Sequence, residues 1–122
     1  MAHHNYIGSA GEQLAQNYLL KKGYAILDSN WRQGRYEVDI IAYFDATVIF
    51  VEVKTRSSVD YGAPETFVDL KKQRAYISLA NRYMIEHHRD EEVRFDIISV
   101  LVNGAQCHID HIENAFTPAE IK

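Results

Sequence analysis

The stretch EVDIIAYFDATVIFVEVK, residues 37–54, decides the fold of this chain. Side chains alternate over residues 37–43, as in a strand with two different faces. One set is predicted to share a face: Val38, Ile40 and Ala42. Residues 47–54 are apolar on both faces until Glu52, which is typical of a strand in the middle of a sheet. Residues 44–46 form a tight turn, so the stretch predicts a β-hairpin.

The segment before the hairpin predicts a helix over residues 8–22 and a short strand over residues 24–27. Four residues at helical spacing form the apolar face of the helix: Leu14, Ala15, Tyr18 and Leu19. Ser9 and Glu12 have the spacing of a capping box at its start. Gly23 suits the position just after its end.

The segment after the hairpin predicts a loop over residues 57–63 and a helix over residues 65–88, with Pro64 in its first turn. Its buried stripe is expected to comprise Leu70, Ile77, Ala80 and Met84, with Tyr76 and Tyr83 beside it. Strands over residues 93–102 and 105–112 flank Asn103-Gly104, a strong hairpin signal. The predicted order is therefore α-β-β-β-α-β-β, an α/β fold with a mixed central sheet flanked by helices.

Composition limits the class of protein. The chain has 122 residues, of which 47% are hydrophobic and 25% charged, so we expect one folded domain over residues 1–122. No apolar run approaches the roughly 18 residues of a membrane span, and residues 1–5 do not resemble a signal peptide, so a cytoplasmic location is expected. The one cysteine, Cys107, excludes an internal disulfide and is predicted to lie in the core. The histidine pairs 87/88 and 108/111 lack zinc-ligand spacing and are expected to be surface or hydrogen-bonded residues.

The hairpin turn determines which charged side chains meet. If residues 45–46 form a two-residue turn, Phe44 pairs with Thr47 and Asp39 lies directly opposite Glu52. A turn of odd length would place the two carboxylates on different faces unless a bulge intervened. Opposed carboxylates repel each other, and a divalent cation such as Mg²⁺ is a physical reason to tolerate them.

The same register places Glu37 opposite Lys54, on the face of Asp39 and Glu52. Lys54 then faces the same ion, where it can contact a phosphate or position an attacking water. The alternative is a strand end in which Glu37 pairs with Lys54 and the other two acids reach solvent. Glu12 has two interpretations as well, since it can complete a metal site or close the capping box.

Charge is distributed unevenly along the chain. The net charge is −4, but residues 31–82 carry one more basic than acidic side chain. Six of these bases form what we call the basic rim, a predicted phosphate-binding border around the acidic residues: Arg32, Arg35, Arg56, Lys71, Lys72 and Arg74. The alternative for the helical lysines and Arg74 is an ordinary solvated helix face.

Several motifs together resemble a known family. They are Gly8-x-x-Gly11-Glu12, Glu37-Val38-Asp39, Phe50-Val51-Glu52-Val53-Lys54-Thr55-Arg56 and Arg94-Phe95-Asp96. The chain resembles the YraN-type family of small uncharacterised bacterial proteins over nearly its whole length. That family is similar to archaeal Holliday-junction resolvases, in the PD-(D/E)XK nuclease superfamily. The resemblance implies a restriction-endonuclease-like fold.

The resemblance also implies roles for single residues. Asp39 and Glu52 match the metal-binding acids, Lys54 the lysine of the signature, and Glu12 the helix acid of the resolvase branch. Mg²⁺ or Mn²⁺ is then expected between the two metal-binding acids and the carbonyl of Val53.

The expected activity is metal-dependent hydrolysis of phosphodiester bonds in DNA, with branched DNA among the candidate substrates. Glu12 and Glu37 would orient waters or hold a second ion, and a junction enzyme would act naturally as a two-fold dimer. Two alternatives remain: a nucleic-acid-binding module without turnover, and a protein-interaction domain in which the acids form structural ion pairs.

Overall fold

One five-stranded sheet carries a helix on each of its faces. The structure, a computed structural model, describes residues 6–57 and 68–118. The elements are α1 (Tyr6–Lys21), β1 (Ala25–Gln33), β2 (Tyr36–Phe44), β3 (Thr47–Ser57), α2 (Leu70–Glu86), β4 (Glu92–Asn103) and β5 (Gln106–Phe116). The predicted element order and the restriction-endonuclease-like α/β fold are confirmed.

The strands lie in the sheet in the order of the chain, β1-β2-β3-β4-β5. Neighbouring strands are antiparallel except β3 and β4, which are parallel. A parallel pair needs a long crossover, and α2 lies in that connection. β3 is therefore a central strand, as its two-sided apolar pattern predicts.

Each helix covers one half of the core. Ala15 and Leu19 of α1 pack on the face that carries Ile49 and Val51 of β3. The opposite face buries a cluster that includes Phe50, Phe95, Tyr76, Leu79 and Tyr83. The predicted apolar face of α1 is confirmed. Neither described helix is long and apolar enough to span a membrane.

The ends of α1 are only partly as predicted. Gly23 has a φ of 96° directly after the helix, so the predicted C-terminal stop is confirmed. The capping box is wrong, because the helix begins at Tyr6 and places Ser9 and Glu12 inside it. This frees the carboxylate of Glu12 from a capping role.

The start of α2 differs from the prediction. Asp69 is the N-cap, and its side chain accepts a hydrogen bond from the amide of Lys72 at 2.9 Å. The helix therefore excludes residues 68–69, and Leu70 is 52% exposed rather than part of the buried stripe. The predicted loop is also wrong at Ser57, which still belongs to β3. The remaining predictions for this connection, at residues 58–67 and including Pro64, fall outside the described residues.

Three strand predictions need correction. β1 continues to Gln33, because an edge strand can carry exposed polar residues that hide the apolar pattern. Val38 packs on the α2 side, whereas Ile40 and Ala42 pack on the α1 side, so these three residues do not share a face. The last hairpin turns at residues 104–105 rather than at Asn103-Gly104, since Asn103 pairs with Gln106.

Cys107 is exposed on β5, so its predicted core position is wrong. β5 is an edge strand, and its residues next to the turn, 106–108, are exposed to solvent. His111, farther along β5, has a side chain that is only 3% exposed, and its Nε2 donates to Asp96 Oδ2 at 2.7 Å. This agrees with the expectation that the histidines are surface or hydrogen-bonded residues.

Asp96 is a fully buried carboxylate that joins β4 to β5. Burial alone would raise the pKa of Asp96, but hydrogen bonds from His111, Arg94 and the backbone of Asn114 outweigh burial and lower it. Arg94 also donates to the hydroxyl of Tyr24 at 2.8 Å, just beyond the end of α1. These hydrogen bonds therefore stabilise the α1 side of the sheet, and they involve neither Asp39 nor Glu52.

Candidate metal centre

The register of the β2–β3 hairpin is the one predicted. Phe44 pairs with Thr47, and the regular pairing continues to Ile40 and Val51. The turn has two residues, Asp45 and Ala46, with φ values of 52° and 57°. Positive φ at both central positions is the requirement of the type I′ turn that suits a tight hairpin. Asp39 and Glu52 occupy the next positions beyond the paired residues.

The carboxylate of Asp39 on β2 reaches the backbone of β3. Its Oδ2 accepts a hydrogen bond from the amide of Val53 at 2.8 Å, which fixes the direction of the carboxylate. Burial, followed by repulsion from Glu52, raises the pKa of Asp39 to about 8. The two carboxylates therefore interact electrostatically, as the register predicts.

Glu52 is 5% exposed, and both of its oxygens are hydrogen-bonded by α2. The hydroxyl of Tyr76 donates to Oε1 at 2.5 Å, and Nζ of Lys72 donates to Oε2 at 2.7 Å. Residues four apart in a helix lie on the same face, so one turn of α2 supplies both partners. Burial and the charge of Glu52 raise the pKa of Tyr76 well above its usual range, so its hydroxyl remains a donor.

Asn30 of β1 connects two further acids. Its side-chain amide donates to Glu12 Oε1 at 3.0 Å and to Glu37 Oε2 at 2.8 Å. Arg32 forms an ion pair with the other oxygen of Glu37 at 2.8 Å. Asn30 thus brings Glu12 of α1 close to Glu37 of β2, and Glu37 also has Arg32 as an ion-pair partner.

These side chains surround a cavity of about 540 Å³. That volume lies within the range of small-molecule sites. Five carboxylates and three basic side chains contribute to its lining: Glu12, Glu37, Asp39, Glu52, Asp69, Arg35, Lys71 and Lys72. Tyr36 and Val53 complete it.

The predicted site residues divide into two groups. Among the described residues, the cavity lining includes Glu12, Glu37, Asp39, Glu52 and Val53, together with half of the basic rim. The other predicted residues lie outside that lining: Lys54, Arg32, Arg56 and Arg74. Lys54 is half-buried on β3, where its backbone is level with Ser99 of β4. Lys72 lies deeper than a rim position, since it contacts Glu52 directly.

The donor set fits one class of metal ion. Within residues 6–57 and 68–118, no three histidine, cysteine or acidic side chains converge as a complete metal-ligand set. Asp39 and Glu52 provide a carboxylate pair, and Val53 presents its amide to Asp39. Mg²⁺ is commonly held by one or two carboxylates, with waters and substrate phosphate completing its shell. The arrangement therefore suits Mg²⁺ or Mn²⁺ better than zinc.

Sequence reasoning missed two residues of this site. Tyr76 was assigned only to the helix packing, and Asn30 fell outside the predicted first strand. The spacing of Lys72 and Tyr76 was a usable signal for the first, because it places both on one helix face. The position of Asn30 carried no comparable signal, since its role depends on a φ of 52° within β1.

Comparisons with known proteins identify the family. The model of "Uncharacterised protein family UPF0102" matches residues 11–100, which include both hairpin acids. A UPF0102 protein of Christiangramia forsetii is 47% identical over 116 residues, covering 95% of this chain and 98% of that protein. A UPF0102 protein of Bacteroides thetaiotaomicron is 45% identical over 118 residues, covering 97% of this chain and 98% of the relative. On these matches, the chain belongs to the uncharacterised protein family UPF0102.

Proposed function

We propose that this protein is a Mg²⁺- or Mn²⁺-dependent nuclease that hydrolyses phosphodiester bonds in DNA. The observation that carries the proposal is the pair Asp39 and Glu52 at a cavity that basic side chains also line. Opposed carboxylates destabilise an ordinary sheet, so their placement calls for a cation. The resemblance to the PD-(D/E)XK superfamily supports the same chemistry.

Asp39 and Glu52 would hold the ion. A bound divalent ion polarises a phosphoryl oxygen and lowers the pKa of a bound water. The amide of Val53 keeps Asp39 oriented, and the hydroxyl of Tyr76 keeps Glu52 oriented. Such positioning matters because a site misplaced by about 1 Å loses much of its rate.

The remaining polar residues would act on water and phosphate. Glu12 and Glu37, joined by Asn30, would orient waters in the cavity that both acids line. Arg35 and Lys71 line the cavity and would bind flanking phosphates. Lys54 lies outside the cavity lining, and its role in stabilising charge on the phosphoryl oxygens is proposed from the family resemblance alone.

A cleavage assay tests the proposal. Linear, flapped and four-way DNA would be incubated with Mg²⁺ or Mn²⁺ and with wild type, Glu52→Gln or Asp45→Asn. Glu52→Gln keeps the shape of the side chain but removes its charge, and we expect it to lose activity about 100-fold or more. Asp45→Asn removes a carboxylate from the exposed turn of the same hairpin and should cleave as wild type does.

Two results would contradict the nuclease proposal. One is the absence of cleavage on every DNA form with either ion. The other is equal activity of wild type and Glu52→Gln, which would identify a contaminating nuclease.

A second candidate is a nucleic-acid-binding module without turnover. The ion pair between Lys72 and Glu52 at 2.7 Å favours it, because this pair already neutralises one acid of the site. Tight DNA binding in Ca²⁺, combined with no cleavage in Mg²⁺ or Mn²⁺, would support this candidate over the nuclease.

A further inference from the structure

The two α2 residues that contact Glu52 differ in charge. Tyr76 is a neutral donor, buried with 1% exposure. Lys72 is a cation whose side chain is 38% exposed, and its Nζ lies 2.7 Å from Glu52 Oε2. The side chain of Lys72 can therefore leave Glu52 for solvent more easily than the buried hydroxyl of Tyr76 can.

A divalent ion affects these two contacts differently. A carboxylate oxygen has further lone pairs, so the neutral hydroxyl of Tyr76 can stay while an ion binds. An ammonium at the same carboxylate repels an arriving cation, and the repulsion is strong where water is partly excluded. Lys72 and the ion thus compete for Glu52.

We propose that Lys72 is the built-in counter-cation of this site, which a divalent ion must displace from Glu52 in order to bind. This inference rests on the proposed function, since it assumes that Asp39 and Glu52 bind the ion. Tyr76 is the positioning residue that holds Glu52 in place during the exchange.

The surroundings of Lys72 allow the exchange. Its stem has four rotatable carbons, and the cavity that it lines also contains Asp69 and Lys71. The released ammonium would remain at the cavity that Arg35 and Lys71 also line, where it can contact a phosphate. Ion binding would in this way add a positive group for the substrate.

Metal affinity of the intact protein tests the inference without an activity assay. Mn²⁺ would be titrated calorimetrically into wild type, Lys72→Met and Lys72→Arg. Lys72→Met keeps most of the apolar stem and removes the charge, and we expect it to bind Mn²⁺ about fivefold more tightly. Lys72→Arg retains a competing cation and should bind as wild type does. Arg82→Met removes an exposed charge farther along α2, where Arg82 pairs with Glu86, and should change the affinity less than twofold.

Thermal melting provides a second measurement on the same proteins. Without metal, Lys72→Met should melt at a lower temperature than wild type, because its two carboxylates lack a counter-cation. Saturating Mn²⁺ should bring the two melting temperatures together, so the ion raises the melting temperature of Lys72→Met more than that of wild type.

The outcomes separate this inference from the proposed function. If neither wild type nor Lys72→Met binds Mn²⁺, the metal site is wrong and the inference is wrong with it. If Glu52→Gln abolishes binding while Lys72→Met binds with wild-type or weaker affinity, the metal site stands and the role of Lys72 is overturned.

Discussion

Asp39 is held where its own charge is unfavourable. Burial and the neighbouring Glu52 raise its pKa to about 8, although the amide of Val53 acts in the opposite direction. Such a side chain lowers the stability of the protein that contains it when no cation is bound. This is the pattern expected where a residue is kept for binding or chemistry rather than for folding.

The raised pKa predicts the effect of Asp39→Asn on stability. A raised folded-state pKa favours the native state below the unfolded pKa of about 3.9, and this advantage is lost as the pH rises to about 8. The amide oxygen of asparagine can still accept from Val53, but it carries no charge. In EDTA at pH 9, Asp39→Asn should therefore be more stable than wild type by at least about 1 kcal/mol, the equivalent of less than one pKa unit. Melting curves at pH 5 and pH 9 measure the difference.

Metal provides the control for that prediction. Mg²⁺ or Mn²⁺ should raise the melting temperature of wild type, and the gain should disappear in Asp39→Asn. An equal gain in the variant would place the ion elsewhere, and a variant less stable than wild type at pH 9 would contradict the assigned cause.

The proximity of Asp39 and Glu52 was predictable from the sequence, because it depends on whether the hairpin turn has an even or an odd number of residues. A two-residue turn determines which residues face each other, and the turn sequence is short enough to interpret directly. The contacts of Tyr76 and Asn30 were not predictable in this way. They depend on how closely α2 and β1 approach the hairpin, which follows from packing over the whole sheet.

At the scale of elements, the backbone of α1 packs directly on the side chain of Thr55 in β3. A Cβ at Gly11 would lie 2.1 Å from Thr55 Oγ1, far inside contact distance. Gly11 directly precedes Glu12, so this close approach also determines how near the helix acid comes to the site.

The contact predicts that Gly11→Ala destabilises the protein. The added methyl group must push α1 away from β3, at a cost of about 1–3 kcal/mol in the free energy of unfolding. Urea denaturation would measure it. Ser9→Ala, on the exposed part of the same helix, serves as the control and should lose no stability.

A double variant identifies the cause of that loss. Thr55→Ala removes the two nearest atoms and should recover part of the stability lost in Gly11→Ala. Strictly additive effects of the two substitutions would mean that this contact is not the reason.

The helices and strands were predictable where their apolar residues are regularly spaced. Their ends were not predictable where polar residues determine them. The apolar face of α1 and the interior of β3 follow from their sequence pattern. The start of α2 was misplaced because the cap at Asp69 was overlooked. β1 was cut short because its second half contains mostly polar residues on a sheet edge.

At the scale of the whole molecule, net charge is a poor guide to the partner. The chain is acidic, with a net charge of −4, yet Arg35, Lys71 and Lys72 meet at one cavity. Five carboxylates line the same cavity, and a divalent ion at Asp39 and Glu52 would offset two of their negative charges. Local charge, rather than the total, therefore decides whether nucleic acid can bind here.

The salt dependence of DNA binding tests this arrangement. Each phosphate contact contributes about 0.9 to the logarithmic salt slope on duplex DNA. With Ca²⁺ present, Arg35→Ala/Lys71→Ala should therefore flatten the slope by up to about two units. Arg82→Ala is the matched control, because Arg82 lies farther along α2 in an ion pair with Glu86. An unchanged slope in the double variant would show that these two residues of the basic rim do not contact DNA phosphates.

The overall architecture was predictable only as a class. The element order indicates a mixed sheet between helices, and the family resemblance implies the fold. The order of strands within the sheet was not predicted, because the pairing of β3 with β4 joins segments far apart in the chain.

That single distant pairing has a consequence for how the protein folds. β1, β2 and β3 join through local antiparallel turns, as do β4 and β5, so these two blocks can form with little loss of chain entropy. Only the parallel β3–β4 seam must close a long connection, and we expect its closure to limit the folding rate. Ile41→Val, within the first block, should then slow refolding, whereas Ile98→Val, in the late-forming seam opposite Val53, should mainly accelerate unfolding. Stopped-flow refolding and unfolding in urea would distinguish this sequence of events from one in which both substitutions act on the same step.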